Sequence, residues 1–180
     1  MDAEKIIAGK KILIVDDEKD VLDGLIDLLE ICKIDTALSF EEGKRLLEEN
    51  DYDLAVLDIM GVKGFDLLKI ANERNVPALM LTAHGLSEEN LKKSAKDGAA
   101  YYVPKDEMKN IEVFVADVIE AMEKKKSPWV RGLDRLGSFY DSKFGGTDWR
   151  EKEKKFWEEK IKDRGYPFDS SDPNPDKPEK

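Results

Sequence analysis

Six residues stand where short apolar runs end, and their types suit chemistry on a phosphoryl group. They are Asp16, Asp17 and Glu18 after the run 11–15, Asp58 after 54–57, Thr82 closing 78–82, and Lys105 just past 100–103. If the first and third runs are neighbouring strands, Asp17 and Asp58 face each other, and carboxylates that close resist joint ionisation unless a cation joins them. Oxygen donors with no His or Cys beside them favour Mg²⁺, which keeps several waters and leaves room for a phosphate oxygen. In formal units Asp16, Asp17 and Asp58 contribute about −3, Lys105 about +1 and Mg²⁺ about +2, so the pocket is near neutral before a phosphoryl group arrives. The chemistry that follows is phosphoryl transfer to a carboxylate oxygen of Asp58. Mg²⁺ and Lys105 stabilise charge on the transferring oxygens, and the Thr82 hydroxyl donates to them afterwards. Ala83 beside Thr82 leaves space for that group.

Such a site exists only if the chain brings those run ends together. Apolar runs at 11–15, 36–38, 54–57, 78–82 and 100–103 alternate with helical patterns at about 21–29, 41–49, 65–74 and 88–97 and around Ile111, Phe114, Val118 and Met122. That rhythm is five strand–helix units. Strands that read as continuous apolar runs are covered by helices on both faces, which selects an α/β fold with a doubly wound, five-stranded parallel sheet. Sheets of this kind place their chemistry outside the carboxyl ends of the strands, where the strand order reverses.

The wider composition narrows the class of protein. With 180 residues and 41% hydrophobic content the chain suits one ordinary domain and a small appendage. One cysteine, Cys32, excludes an internal disulfide framework and a cysteine-rich metal site. The start Met1-Asp2-Ala3-Glu4 lacks the basic character of a secretory leader, and no apolar run approaches the roughly 18 residues of a membrane span. The expectation is a cytoplasmic protein with no membrane partner. A net charge of −10 argues against nucleic acid as a partner. Residues 1–126 carry 18 basic and 28 acidic side chains, whereas residues 127–180 carry 12 of each, so a boundary falls near Ser127-Pro128. The expected organisation is an N-terminal arm over 1–9, the α/β domain over 10–126, an aromatic-rich helical extension over 127–166 and a disordered tail over 167–180.

Asp16-Asp17, the stretch Leu57-Asp58-Ile59-Met60, Thr82-Ala83, Gly98-Ala99, Tyr102 and Lys105 together resemble the receiver domain of bacterial two-component response regulators. The resemblance covers about residues 10–126. It implies the flavodoxin-like strand order 2-1-3-4-5, with Asp58 as phosphoacceptor, Asp17 as a direct Mg²⁺ ligand, Asp16 as a ligand through water, and the Met60 carbonyl as a further ligand. It also implies a switch pair, Thr82 and Tyr102, whose hydroxyl and ring move on phosphorylation; Tyr101 competes for the ring's part. The phosphoryl group would come from a sensor histidine kinase or a phosphotransfer protein. Two departures stand out: the stretch from Ile59 to Lys63 before Gly64 is two residues shorter than the family's loop, and Pro104 precedes Lys105 where the family places proline after lysine.

The extension holds all three tryptophans, Trp129, Trp149 and Trp157, too much apolar surface for a solvated linker. Asp148 with Glu151 reads as a capping box and Gly165 as a C-cap, which predicts one helix over 149–164. A DNA-binding output would need about three helices and a basic face. The expected output is therefore protein contact, through a partner or a homodimer formed by the extension, with phosphorylation shifting the extension's position. Two alternatives use other parts of the pattern: a receiver-like scaffold that is not phosphorylated, and an aspartyl phosphatase of the haloacid dehalogenase type. The latter expects a second Asp two residues after its nucleophile, where Met60 stands. His84, the single histidine, lies two positions past Thr82, where it could overhang the pocket.

Overall fold

A computed structural model describes residues 2–83 and 86–162; His84, Gly165 and the segment 167–180 lie outside the described residues. Five strands form one parallel sheet: β1 (Lys11–Val15), β2 (Lys33–Ala37), β3 (Leu54–Asp58), β4 (Ala78–Thr82) and β5 (Tyr101–Pro104). Their order is β2-β1-β3-β4-β5, the doubly wound arrangement expected. β3 and β4 are buried along their whole length because helices cover both faces, which is why they read as unbroken apolar runs. β2 lies at the edge. It begins at Lys33, earlier than the expected 36–38, and Leu38 is exposed, because a half-buried edge strand carries charged residues that mask its apolar alternation.

The helices of the α/β unit are α2 (Lys19–Leu28), α3 (Phe40–Glu49), α4 (Gly64–Glu73), α5 (Glu88–Lys96) and α6 (Ile111–Lys124). The segment before β1 contains a short helix, α1 (Ala3–Ile7), capped by the Asp2 carboxylate and seated on α6 with Ile7 buried. A 3-10 turn, Lys105–Asn110, joins β5 to α6. Among the described residues no helix is long and apolar enough to cross a membrane.

Past residue 126 the structure departs from the single helix expected. A well-formed helix, α7 (Trp129–Lys143), comes first; then α8 (Asp148–Lys152) and α9 (Lys154–Lys160) occupy the region expected as one helix. The chain breaks at Glu153, whose φ of −120° and ψ of 32° leave the helical region. The expected capping box does not form: Thr147 is the residue before α8, Asp148 lies inside its first turn, and no side-chain cap hydrogen bond is made. α7 was concealed by Gly132 and Gly137, which weaken a helix by about 1 kcal/mol each relative to alanine. Its buried stripe of Trp129, Leu136 and Tyr140 is nevertheless at helical spacing.

The extension is part of the same core. α7 lies along β5, the last strand of the sheet. Gly132 sits against the ring of Tyr101, and Tyr140 against the ring of Tyr102, 6.0 Å between centroids. Successive strand residues point to opposite faces, so a helix touching both rings passes over the edge of the sheet rather than along one face. Two donors fix it there: the Trp129 indole N–H to the Ala99 carbonyl at 3.0 Å, and the Tyr140 hydroxyl to the Tyr102 carbonyl. Beyond them Tyr140, Phe144, Trp149, Trp157 and Phe156 form a chain of mostly edge-to-face ring contacts, the arrangement that aromatic quadrupoles favour.

Candidate functional site

Parallel register explains how the run ends meet. Val15 is paired with Leu57, so the residues that follow, Asp16 and Asp58, come side by side. Asp58 is paired with Leu81 and Thr82 with Pro104, which steps the ends of β4 and β5 outward and leaves Thr82 and Lys105 around the same point. Asp16, Asp58 and Thr82 are all buried. The Lys105 ammonium lies 3.0 Å from Asp16 Oδ2, 3.4 Å from Asp58 Oδ1 and 3.5 Å from Glu18 Oε1. Asp16 Oδ1 accepts the Glu18 N–H at 2.8 Å, which aims its other oxygen at the lysine. The structure thus brings together Asp16, Asp17, Asp58, Thr82 and Lys105, with Glu18 at their margin.

The electrostatics of this cluster are those of a crowded anion site. Burial, then the Asp16 carboxylate, push the Asp58 carboxyl up to about 7, against the pull of Lys105. Burial likewise raises Asp16, opposed by the Glu18 N–H and by Lys105. Lys105 loses to burial but gains more from Asp16, Asp58 and Glu18, and stays above its ordinary value. Asp16 perturbs Asp58 more than Asp17 does, because the Val15–Leu57 register sets Asp16 directly alongside.

The donor set fits Mg²⁺. The carboxylate oxygens of Asp16, Asp17 and Glu18 lie within 4.8 Å of one another. Asp16 Oδ2 is buried without a hydrogen bond, its ammonium neighbour notwithstanding. One lysine faces the carboxylates of Asp16, Glu18 and Asp58, and burial followed by the Asp16 charge still raises the Asp58 carboxyl. Oxygen donors of this kind with one or two carboxylates are what Mg²⁺ prefers.

The shortened loop between β3 and α4 works through two glycines. Gly61 has φ +85°, and a Cβ there would lie 2.5 Å from Asp17 Oδ2, so the missing side chain is the space the carboxylate occupies. A Cβ at Gly64 would lie 2.2 Å from the Asp58 backbone oxygen, which lets α4 begin directly beneath the site. Lys63, with φ +53°, takes the left-handed turn between them. The Met60 side chain is exposed. The signal for the loop's shape was the paired glycines themselves.

The two tyrosines part company. Tyr101 turns away from the site: its ring packs on Phe114 and its hydroxyl donates to Asp117 at 3.0 Å. Tyr102 turns toward it, fully buried, with its hydroxyl hydrogen-bonded to the Thr82 side chain and accepting the Ser87 N–H at 3.2 Å. Sequence reasoning missed Ser87, the N-cap of α5, and Tyr140 in the unexpected helix α7.

Sheet order and strand-end cluster together define a receiver of the two-component type. Over residues 12–116 the chain matches the response regulator receiver domain family, and it belongs to that family. Among curated proteins it is similar to the two-component response regulator ARR18 of Arabidopsis thaliana, 34% identical over 108 residues, covering 57% of this chain and 17% of the relative. The heme response regulator HssR of Staphylococcus aureus (strain Newman) is 41% identical over 76 residues, 39% of this chain and 34% of that one. The chain thus spans at most about a third of the length of these relatives. Among solved structures, the Francisella response regulator 1452 receiver domain superposes with a TM-score of 0.57 at 27% identity, covering 62% of this chain and 98% of that one. The BeF3-activated receiver domain of DrrB from Thermotoga maritima gives 0.56 at 25% identity, with the same coverage.

Proposed function

We propose that this receiver accepts a phosphoryl group on Asp58 from the phosphohistidine of a sensor histidine kinase or phosphotransfer protein, and signals through protein contacts. The observation that carries the reading is the meeting of a buried aspartate, a lysine and a hydroxyl at the carboxyl ends of three strands, beside two more carboxylates. An Asp58 oxygen attacks phosphorus; the P–O bond forms as the P–N bond breaks, and its electron pair returns to the imidazole. Lys105, 3.4 Å from Asp58 Oδ1, opposes the burial that favours the protonated form of that carboxyl and then faces the charge gathering on the phosphoryl oxygens. The Thr82 hydroxyl donates to one of those oxygens. Asp16, Asp17 and Asp58, with the Met60 carbonyl, would hold Mg²⁺, which when bound supplies further neutralisation of the phosphoryl charge. Thr82 and Tyr102 form the switch pair, a role that their shared hydrogen bond supports.

Protein contact rather than DNA is the favoured output because residues 127–180 carry balanced charge and the described helices among them pack on the receiver. Intact mass after incubation with acetyl phosphate and Mg²⁺ tests the central step. The expected result is a gain of one phosphoryl group that Asp58→Asn abolishes; an unmodified parent chain returns the reading to a receiver-like scaffold.

A further inference from the structure

α7, the first helix beyond residue 126, seats on the strand that carries Tyr102. The Tyr102 ring is enclosed between Ser87 on one side and Tyr140 on the other. Its hydroxyl accepts the Ser87 N–H at 3.2 Å and shares a hydrogen bond with the Thr82 side chain, which ties the ring to Thr82. Tyr140, itself buried, donates to the Tyr102 carbonyl and stacks on Phe144 at 5.9 Å, and the Tyr102 ring against it is fully buried. A second group of contacts holds α7 down independently. Asp117 on α6, 1% exposed, accepts from Tyr101, from Arg131 at 3.3 Å and from Arg135 at 2.5 Å, and Arg131 also reaches Glu120 at 2.8 Å. At the other end of the appendage Lys92 on α5 pairs with Glu153 at 2.9 Å.

We propose that the docked helices α7, α8 and α9 are a built-in positive effector of Asp58: Tyr140 holds Tyr102 against Thr82, so docking of these helices and phosphorylation strengthen each other. The inference rests on the phosphoacceptor reading above and adds its regulation. A donor already ordered over the site does not have to be ordered when the phosphoryl group arrives, and the saving appears as affinity. Coupling of binding free energies is reciprocal, so a phosphoryl mimic at Asp58 must in turn tighten the seat of α7. The expected sense is opposite to a release mechanism, in which phosphorylation would expel the appendage.

The test is calorimetric titration of the full chain with beryllofluoride and Mg²⁺, comparing the parent with Tyr140→Ala, Tyr102→Phe and the double variant. Tyr140→Ala is expected to weaken binding about tenfold, within the usual range of allosteric coupling. In the Tyr102→Phe background the same substitution is expected to change nothing, since the hydroxyl that transmits the effect is gone. Unchanged affinity in Tyr140→Ala, or an equal loss in both backgrounds, overturns the coupling while leaving the phosphoacceptor reading intact. A parent chain that does not bind beryllofluoride overturns both. Amide exchange over residues 129–143 of the parent needs no substitution: the mimic is expected to slow it severalfold, and faster exchange would overturn the proposal.

Discussion

Asp58 carries a charge in a place that disfavours charge, and its pH behaviour follows. Without metal its folded carboxyl titrates near 7, against an ordinary value of 3.8. Between those pH values the folded chain holds a proton that the unfolded chain has released, so its contribution to stability is present below about pH 4 and is lost as pH rises through about 7. Asp58→Asn, uncharged at any pH, should then be more stable than the parent at pH 8 in the presence of a chelator, by on the order of 4 kcal/mol. The difference should fade at pH 4; urea unfolding at the two pH values measures it. Asp16, Asp17, Asp58, Thr82 and Lys105 were legible in the sequence because each stands where an apolar run stops. That Asp16 rather than Asp17 lies directly beside Asp58 was not, since it depends on a register between strands about 40 residues apart in the chain.

Single elements show why some of the chain hid its structure. Whereas the caps Ser39 and Ser87 emerge only in the structure, the strands and the helices between them declare themselves through their apolar runs and stripes. α7 does not, since two glycines lower its helix propensity and its partner surface, β5, is remote in sequence. Those glycines are not equivalent. A Cβ at Gly132 would meet the Tyr101 ring at 3.5 Å, an ordinary contact, whereas one at Gly137 would lie 2.2 Å from Arg150 Nη2, whose guanidinium is committed to Asp141. Gly132→Ala is therefore expected to stabilise the protein by about 0.5–1 kcal/mol by restricting the unfolded chain, seen as a higher melting temperature. Gly137→Ala should forfeit that gain.

At the scale of the molecule, one carboxylate ties the receiver to its appendage. Breaking a buried ion pair by removing one partner typically costs 3–5 kcal/mol, but Arg131 and Arg135 are 44% and 37% exposed at the side chain and can turn to water. Asp117→Asn should cost less, about 2 kcal/mol, read by denaturant unfolding with a parallel increase in amide exchange across α7. Every indole of the chain lies beyond residue 126, and all three are buried in or beside the ring cluster that abuts Tyr102. Excitation at the red edge of the absorption band therefore illuminates the appendage and leaves the strand-end carboxylate cluster dark. The molecule carries its own unlabelled gauge, in which emission colour reports how α7 and the rings around it sit on a strand they do not belong to.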